Sequence, residues 1–214
     1  MIDSRMYIKS LNATETGESN TNDSYILVPR GLDASDFFGL TSGRRMFFDA
    51  TDPTTQKSYN LRFEITGTNE QRIYMLGIFC RDKGIHAGDT ICLEKLTIDG
   101  DTKYYIRHRN FNNIVLLRKI KGSYVIERND IGNSLLGHPI ALMHNGQALE
   151  LTLTFKGREK KRKDSPDVFD FYEATLSSGQ KLASINSDSY VIFDMDTHTI
   201  REFGQAKEYR IKQN

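Results

Sequence analysis

Four consecutive polar residues, Asn69-Glu70-Gln71-Arg72, follow a strand-breaking Gly67 in the segment 62–72. Their types match the donor and acceptor code of the DNA major groove. An arginine can clamp guanine O6 and N7, a glutamate can accept from cytosine N4, and asparagine or glutamine can pair with adenine. The same residues also suit a solvated turn closed by a Glu–Arg ion pair. A second polar segment, residues 12–24, is rich in amide and hydroxyl groups and long for a hairpin loop. Such a loop can bridge to bases and phosphates or serve as a plain linker. The charge run Lys156-Gly157-Arg158-Glu159-Lys160-Lys161-Arg162-Lys163 suits phosphates, a solvated hairpin tip or a nuclear-import signal.

Catalytic constellations are sparser. Pro166-Asp167, with Asp170 and Glu173 downstream, resembles the start of a magnesium-holding nuclease motif, but Ala174 and Thr175 follow where an acidic-x-lysine element belongs. No Gly-rich phosphate loop occurs, nor a Ser or Cys nucleophile with an evident His partner. Cys80 and Cys92 both sit in apolar runs and read as buried free thiols, with a disulfide as the alternative. Two cysteines and five scattered histidines lack zinc-ligand spacing.

The elements that must position these residues are strands. Residues 6–9, 25–28, 45–48, 59–63, 72–79, 90–96 and 103–106 are short, aromatic and β-branched runs bounded by turn residues, and Asp99-Gly100-Asp101 signals a tight hairpin. Further runs lie at 148–155, 168–176, 190–195 and 199–203. One helix is expected after Pro29, with Asp33 or Ser35 as N-cap before Phe37, Phe38 and Leu40, and a second over 129–136. A composition shift across 110–121 divides the chain into residues 1–114 and 115–214. The fold class is therefore all-β with one or two short helices, a barrel or sandwich.

The 214 residues carry 29 Lys plus Arg against 28 Asp plus Glu, so the net charge is +1 and nonspecific polyanion binding is disfavoured. A sequence-specific binder with few, local cations remains open. No run approaches the roughly 20 apolar residues of a bilayer span, and no leader pattern opens the chain, so a soluble intracellular protein is expected.

Several motifs resemble the N-terminal effector-binding domain of the EcoRII-type restriction endonucleases. They are Tyr7-Ile8-Lys9-Ser10-Leu11-Asn12-Ala13-Thr14-Glu15-Thr16-Gly17, then Leu27-Val28-Pro29-Arg30-Gly31, Tyr59-Asn60-x-Arg62 and Asn69-Glu70-Gln71-Arg72-Ile73. Ile85-His86-Ala87-Gly88-Asp89 looks like the Gly-Asp turn of the same fold. The resemblance covers roughly the first 110 residues. It implies a DNA-binding pseudobarrel, a seven-stranded open barrel, followed by a smaller β-rich accessory region. Two arms, residues 9–24 and 62–72, would grip duplex 5′-CCWGG in the major groove. Arg72 and Glu70 would read bases, with Asn69 and Gln71 as secondary readers. Lys9, Ser10, Asn12, Thr14, Thr16 and Arg62 would hold phosphates. Asn22 stands where the family arm has a histidine, and Thr66, Thr68 and Gln71 replace three basic residues.

The implied function is sequence-specific double-stranded DNA binding as the effector or targeting domain of a Type II restriction endonuclease. This chain would be a monomer in the prokaryotic cytoplasm, without membrane contact, and would not itself cut. Its catalytic partner would be a fused C-terminal nuclease domain absent from the chain. DNA binding would need no cofactor, and Mg2+ would serve only that absent domain. Two alternatives stand beside this reading: a metal-dependent nuclease using Asp167, Asp170 and Glu173, and a β-rich protein-interaction module whose arms are only loops.

Overall fold

Strand periodicity dominates the computed structural model, which describes residues 2–18, 25–28, 37–40, 43–160 and 166–204, and the backbone of 210–213. The chain divides into two compact units, one of residues 1–110 with 206–214 and one of 111–205. The division therefore falls a few residues before the expected 114, and the chain's last segment belongs with the first unit rather than the second.

The first unit is an open half-barrel sheet. Its strands are β1 (Ile2–Ser10), β2 (Tyr25–Val28), β3 (Arg45–Thr51), β4 (Ser58–Ile65), β5 (Gln71–Tyr74), β6 (Thr90–Ile98) and β7 (Asp101–Arg109). An eighth, β15 (Arg210–Gln213), pairs antiparallel with β1, giving the order β15-β1-β6-β7-β3-β4-β5-β2. The expected seven strands are thus present, with one more added from the distant C-terminal segment. Asp99 and Gly100, both at positive φ, link β6 to β7 as the two-residue turn their types favour. Phe37 and Phe38 are helical, while the expected caps Asp33 and Ser35 lie outside the described residues. Phe38 is fully buried, stacks on Phe63 at 4.4 Å and meets Phe48 at 5.3 Å, which puts an aromatic cluster at the centre of the core.

The strand expected over 72–79 needs correction. β5 stops at Tyr74, Met75 takes a left-handed φ of 72°, and a helix, α2 (Gly77–Lys83), follows the single turn α1 (Ala13–Thr16) in chain order. Leu76, Phe79 and Cys80 are buried at i, i+3 and i+4, a helical spacing. Gly84 ends α2 in the left-handed conformation, with Arg81 and Lys83 in the last turn facing the negative end of the helix dipole.

The second unit is a closed barrel of β10-β11-β12-β9-β8-β13-β14. Its strands are β8 (Ile114–Ile120), β9 (Ser123–Asn129), β10 (Pro139–His144), β11 (Gln147–Lys160), β12 (Val168–Leu176), β13 (Tyr190–Asp194) and β14 (Thr199–Phe203), with a helical turn α3 (Leu182–Ile185). A parallel contact of β10 with β14, Met143 opposite Thr199, closes the ring. Alternate residues of four strands fill it, Val115 and Leu117, Ile140 and Leu142, Leu151 and Leu153, Val191 and Phe193, joined by Tyr124, Ala174 and Ile200 from the other three. The helix expected over 129–136 is only a 3-10 turn, Gly132–Leu135. Cys80 is buried as expected, Cys92 is half-buried, and both thiols are free.

Candidate nucleic-acid interface

The segment 62–72 folds as a tight hairpin. β4 and β5 pair from Arg62–Tyr74 to Ile65–Gln71, and the loop between them is closed by Thr66 N–H donating to Glu70 O at 2.8 Å. Asn69 takes a left-handed φ of 60°, which asparagine tolerates better than most residues. Side chains alternate across a strand, so Arg72 and Tyr74 share one face while Gln71 and Ile73 share the other. Ile73 is fully buried, and the Gln71 Oε1 is buried without a donor among the described residues. Gln71 therefore does not present its amide beside Arg72, contrary to the expected row of four readers.

On the outer face, cross-strand pairing sets Tyr25 opposite Tyr74, Tyr74 opposite Arg62, Arg72 opposite Glu64, and Glu64 opposite Arg45. Arg72 lies 4.2 Å above the Tyr25 ring and Arg62 lies 4.4 Å above the Tyr74 ring. Cation–π stacking of this kind fixes a guanidinium plane while leaving donors at its rim. Glu70 Oε2 accepts from Arg72 Nε at 3.1 Å and from Nη2 at 2.5 Å, and Arg72 Nη1 donates to the Tyr74 hydroxyl at 3.3 Å. The Glu–Arg ion pair of the plain-turn reading is thus real, and it also orients Arg72. Glu64 lies 3.1 Å from Arg45 and 3.3 Å from Arg62. At the turn, Arg44 donates to Thr66 O and to Asn69 Oδ1 at 3.0 and 3.3 Å. Phe47, opposite Arg62, is 53% exposed.

The N-terminal arm is built differently from expectation. Lys9 and Asn12, expected on phosphates, are each 1% exposed. Lys9 lies on the core face with Tyr7 and Leu11, and its Nζ sits 2.7 Å from Glu15 Oε1 and 3.0 Å from Leu27 O. Asn12 caps α1: its Oδ1 accepts from Thr14 N and Glu15 N, and Glu15 Oε2 accepts in turn from Asn12 N. Glu15 also accepts from Leu27 N at 3.3 Å, so one buried carboxylate ties β1, α1 and β2 together. Burial pushes the Glu15 carboxyl up and the Lys9 ammonium down, each opposed by the charge of its partner. Lys9 and Asn12 are supports of the arm and reach no surface ligand.

Thr16 Oγ1, with one proton to donate, lies 3.0 Å from Glu18 Oε2 and 3.3 and 3.4 Å from Asn12 O and Ala13 O, and Ser10 Oγ lies 3.4 Å from Thr90 Oγ1. Thr14 is half-buried in α1, and Asn22 lies outside the described residues. Glu18 fastens the arm to the 85–89 turn, accepting from Ala87 N at 2.9 Å and meeting His86 Nδ1 at 2.6 Å. Burial would raise the Glu18 carboxyl, but these bonds and Thr16 outweigh it and hold it below its ordinary value.

The structure therefore brings Arg62, Asn69, Glu70 and Arg72 into one hairpin and withdraws Lys9, Asn12 and Gln71. Tyr25, Arg44, Arg45, Phe47, Glu64 and Tyr74 join that surface without having been singled out. For Glu64 and Tyr74 the signal was the period of two from Arg62 and Arg72; the others arrive by cross-strand pairing and turn contacts. In the second unit, Asp170 is paired with Arg158, and Glu173 with Lys181 and, at 3.7 Å, with Lys156. Among the described residues no three His, Cys, Asp or Glu side chains gather as a metal site, and no helix is long and apolar enough to cross a membrane. Comparison with known proteins finds no family model and no curated protein that matches this chain.

Proposed function

We propose that the first unit is a sequence-specific double-stranded DNA-binding domain that reads 5′-CCWGG and targets a Type II restriction endonuclease. The observation that carries the reading is the outer face of β4 and β5, where Arg62 and Arg72 stack on Tyr74 and Tyr25 beside a polar turn. A guanidinium held flat against a ring and braced by a carboxylate has little orientational entropy left to lose on meeting a guanine edge. Arg72, braced by Glu70, is the principal reader. Arg62, Arg45 and Arg44 surround it as phosphate contacts. The resemblance of the first 110 residues to the EcoRII-type effector domain supplies the choice of duplex and of biological setting. A fused nuclease domain, holding its own Mg2+, would do the cutting.

The test compares 5′-CCWGG duplex with scrambled duplex by fluorescence anisotropy at physiological salt. The cognate duplex is expected to bind at least ~1000-fold more tightly. Arg72→Ala should cost about 1–3 kcal/mol on the cognate site and relax discrimination at one base pair. Equal affinity for both duplexes refutes the reading. Equal loss on both from Arg72→Ala reassigns Arg72 to the backbone.

A further inference from the structure

The strongest surface outside that hairpin lies on β11 and β12 of the second unit. A bulge between Phe155 and Gly157, with Gly157 at a φ of 147°, shifts the register so that Phe155, Arg158 and Lys160 face Tyr172, Asp170 and Val168 respectively. Without the bulge, Phe155 and Arg158 would point to opposite faces. Phe155 is 53% exposed, and its ring meets that of Tyr172 edge-on at 5.7 Å. Tyr172, Val125 and Ile126 line a cleft of about 350 Å3 that opens beside Arg158 and Asp170. Arg158 donates through Nε and Nη2 to the two Asp170 carboxylate oxygens at 2.6 and 3.0 Å, which neutralises Asp170 and leaves further guanidinium donors. Lys156, Arg158 and Lys160 are all exposed at the end of β11 with Glu159 among them, Arg158 paired with Asp170 and Lys156 3.7 Å from Glu173.

We propose that this face binds single-stranded nucleic acid. The exposed Phe155 ring, edge-on to the half-buried Tyr172 and beside a cleft that Arg158 and Asp170 also line, offers a base a stacking surface. The strand of cations running away from it suits the phosphates that follow, which is the combination single-strand binders use. A duplex does not fit this chemistry, because its bases are already stacked on one another. The proposal is independent of the duplex-reading hairpin in the first unit.

The test uses the full chain and a short fluorescein-labelled oligothymidylate, read by anisotropy at several salt concentrations. Binding is expected at physiological salt. Phe155→Ala, at an exposed position, should weaken it roughly five- to a hundred-and-fifty-fold. Lys160→Ala should reduce the salt slope by about 0.7. Unchanged circular dichroism melts would show that both variants fold. The proposal is overturned if the oligothymidylate does not bind, or if Phe155→Ala binds it as wild type does. It is overturned equally if Arg72→Ala rather than Phe155→Ala removes binding, since the first unit would then be the site. Sedimentation supplies the remaining check: a dimer that Phe155→Ala dissociates would make this face a contact between copies and overturn the proposal.

Discussion

Replacing Lys9 by methionine tests how the N-terminal arm is held. The substitution keeps the apolar stem and removes the ammonium, and with it the contacts to Glu15 Oε1 at 2.7 Å and Leu27 O at 3.0 Å. Glu15, 2% exposed, keeps the N–H donors of Asn12 and Leu27 but loses its counter-charge. Removing one partner of a buried pair costs about 3–5 kcal/mol. Protonation of Glu15 sets a ceiling on that cost. Taking up a proton at pH 7 by a group with an ordinary value near 4.3 costs about 3.7 kcal/mol, and at pH 5 only about 1 kcal/mol. In the variant the folded carboxyl titrates above its unfolded value, so stability is lost as pH rises above that unfolded value. Lys9→Met should therefore lose about 3–4 kcal/mol at pH 7 and about 1 kcal/mol at pH 5 in urea titrations followed by circular dichroism. Adding Glu15→Gln, which removes the uncompensated charge but keeps an acceptor oxygen for only one of the two N–H groups, should restore part of the loss. A cost under about 1 kcal/mol at pH 7, or one that does not change with pH, would refute the buried-pair argument. A fall of about 0.9 in the salt slope of duplex binding would return Lys9 to a phosphate.

Asp52, 3% exposed, makes an ion pair with Lys83 and accepts from Thr54 N and Thr55 Oγ1 at 2.8 and 2.9 Å. Burial alone would raise its carboxyl, but these partners outweigh it and hold it well below the usual carboxylate range. Its contribution is present above an unfolded value of about 3.9 and lost as pH falls toward the folded one, so the stability gap between wild type and Asp52→Asn should close below about pH 4; a gap constant down to about pH 2 in thermal melts would contradict this. Tyr59, buried and donating to Asp82 at 3.0 Å, and Tyr104, donating to Phe37 O at 2.9 Å, are each pushed up to about 12, the first by burial and the Asp82 carboxylate, the second by burial. Their stabilisation is present below about pH 10 and lost as pH rises toward 12. Tyr59→Phe and Tyr104→Phe should each remove one late-ionising phenolate from an ultraviolet titration, and the loss of an early one would refute the assignment.

What the chain specified locally could be read from it directly. Period-two runs marked the seven strands of the first unit's residues 2–109, and Asp99-Gly100 marked the turn between β6 and β7. The alternation of Arg62 with Glu64, and of Arg72 with Tyr74, already placed those side chains on one face of their strands. It also aligned Lys9 with Tyr7 and Leu11 on the core side, a signal that its charge obscured. Asn145-Gly146, both at positive φ between β10 and β11, was a legible hairpin turn. β8 escaped because Ile114–Leu117 are buried on both faces and show no alternation.

Tertiary structure decided the rest, because it depends on which distant segments meet. Local residue types could not show that Glu15 would fold back onto Lys9, or that Tyr25 would come to lie under Arg72 through the pairing of β2 with β5. Nor could they show that β15 would pair with β1, or that a parallel contact between β10 and β14 would close the second barrel. Those contacts join residues far apart in sequence, and their free energy comes from burial and pairing that exist only once both partners are in place. Arg72 is positioned as a candidate reader by Tyr25, Glu70 and Tyr74 together, and only the folded sheet assembles the three around it.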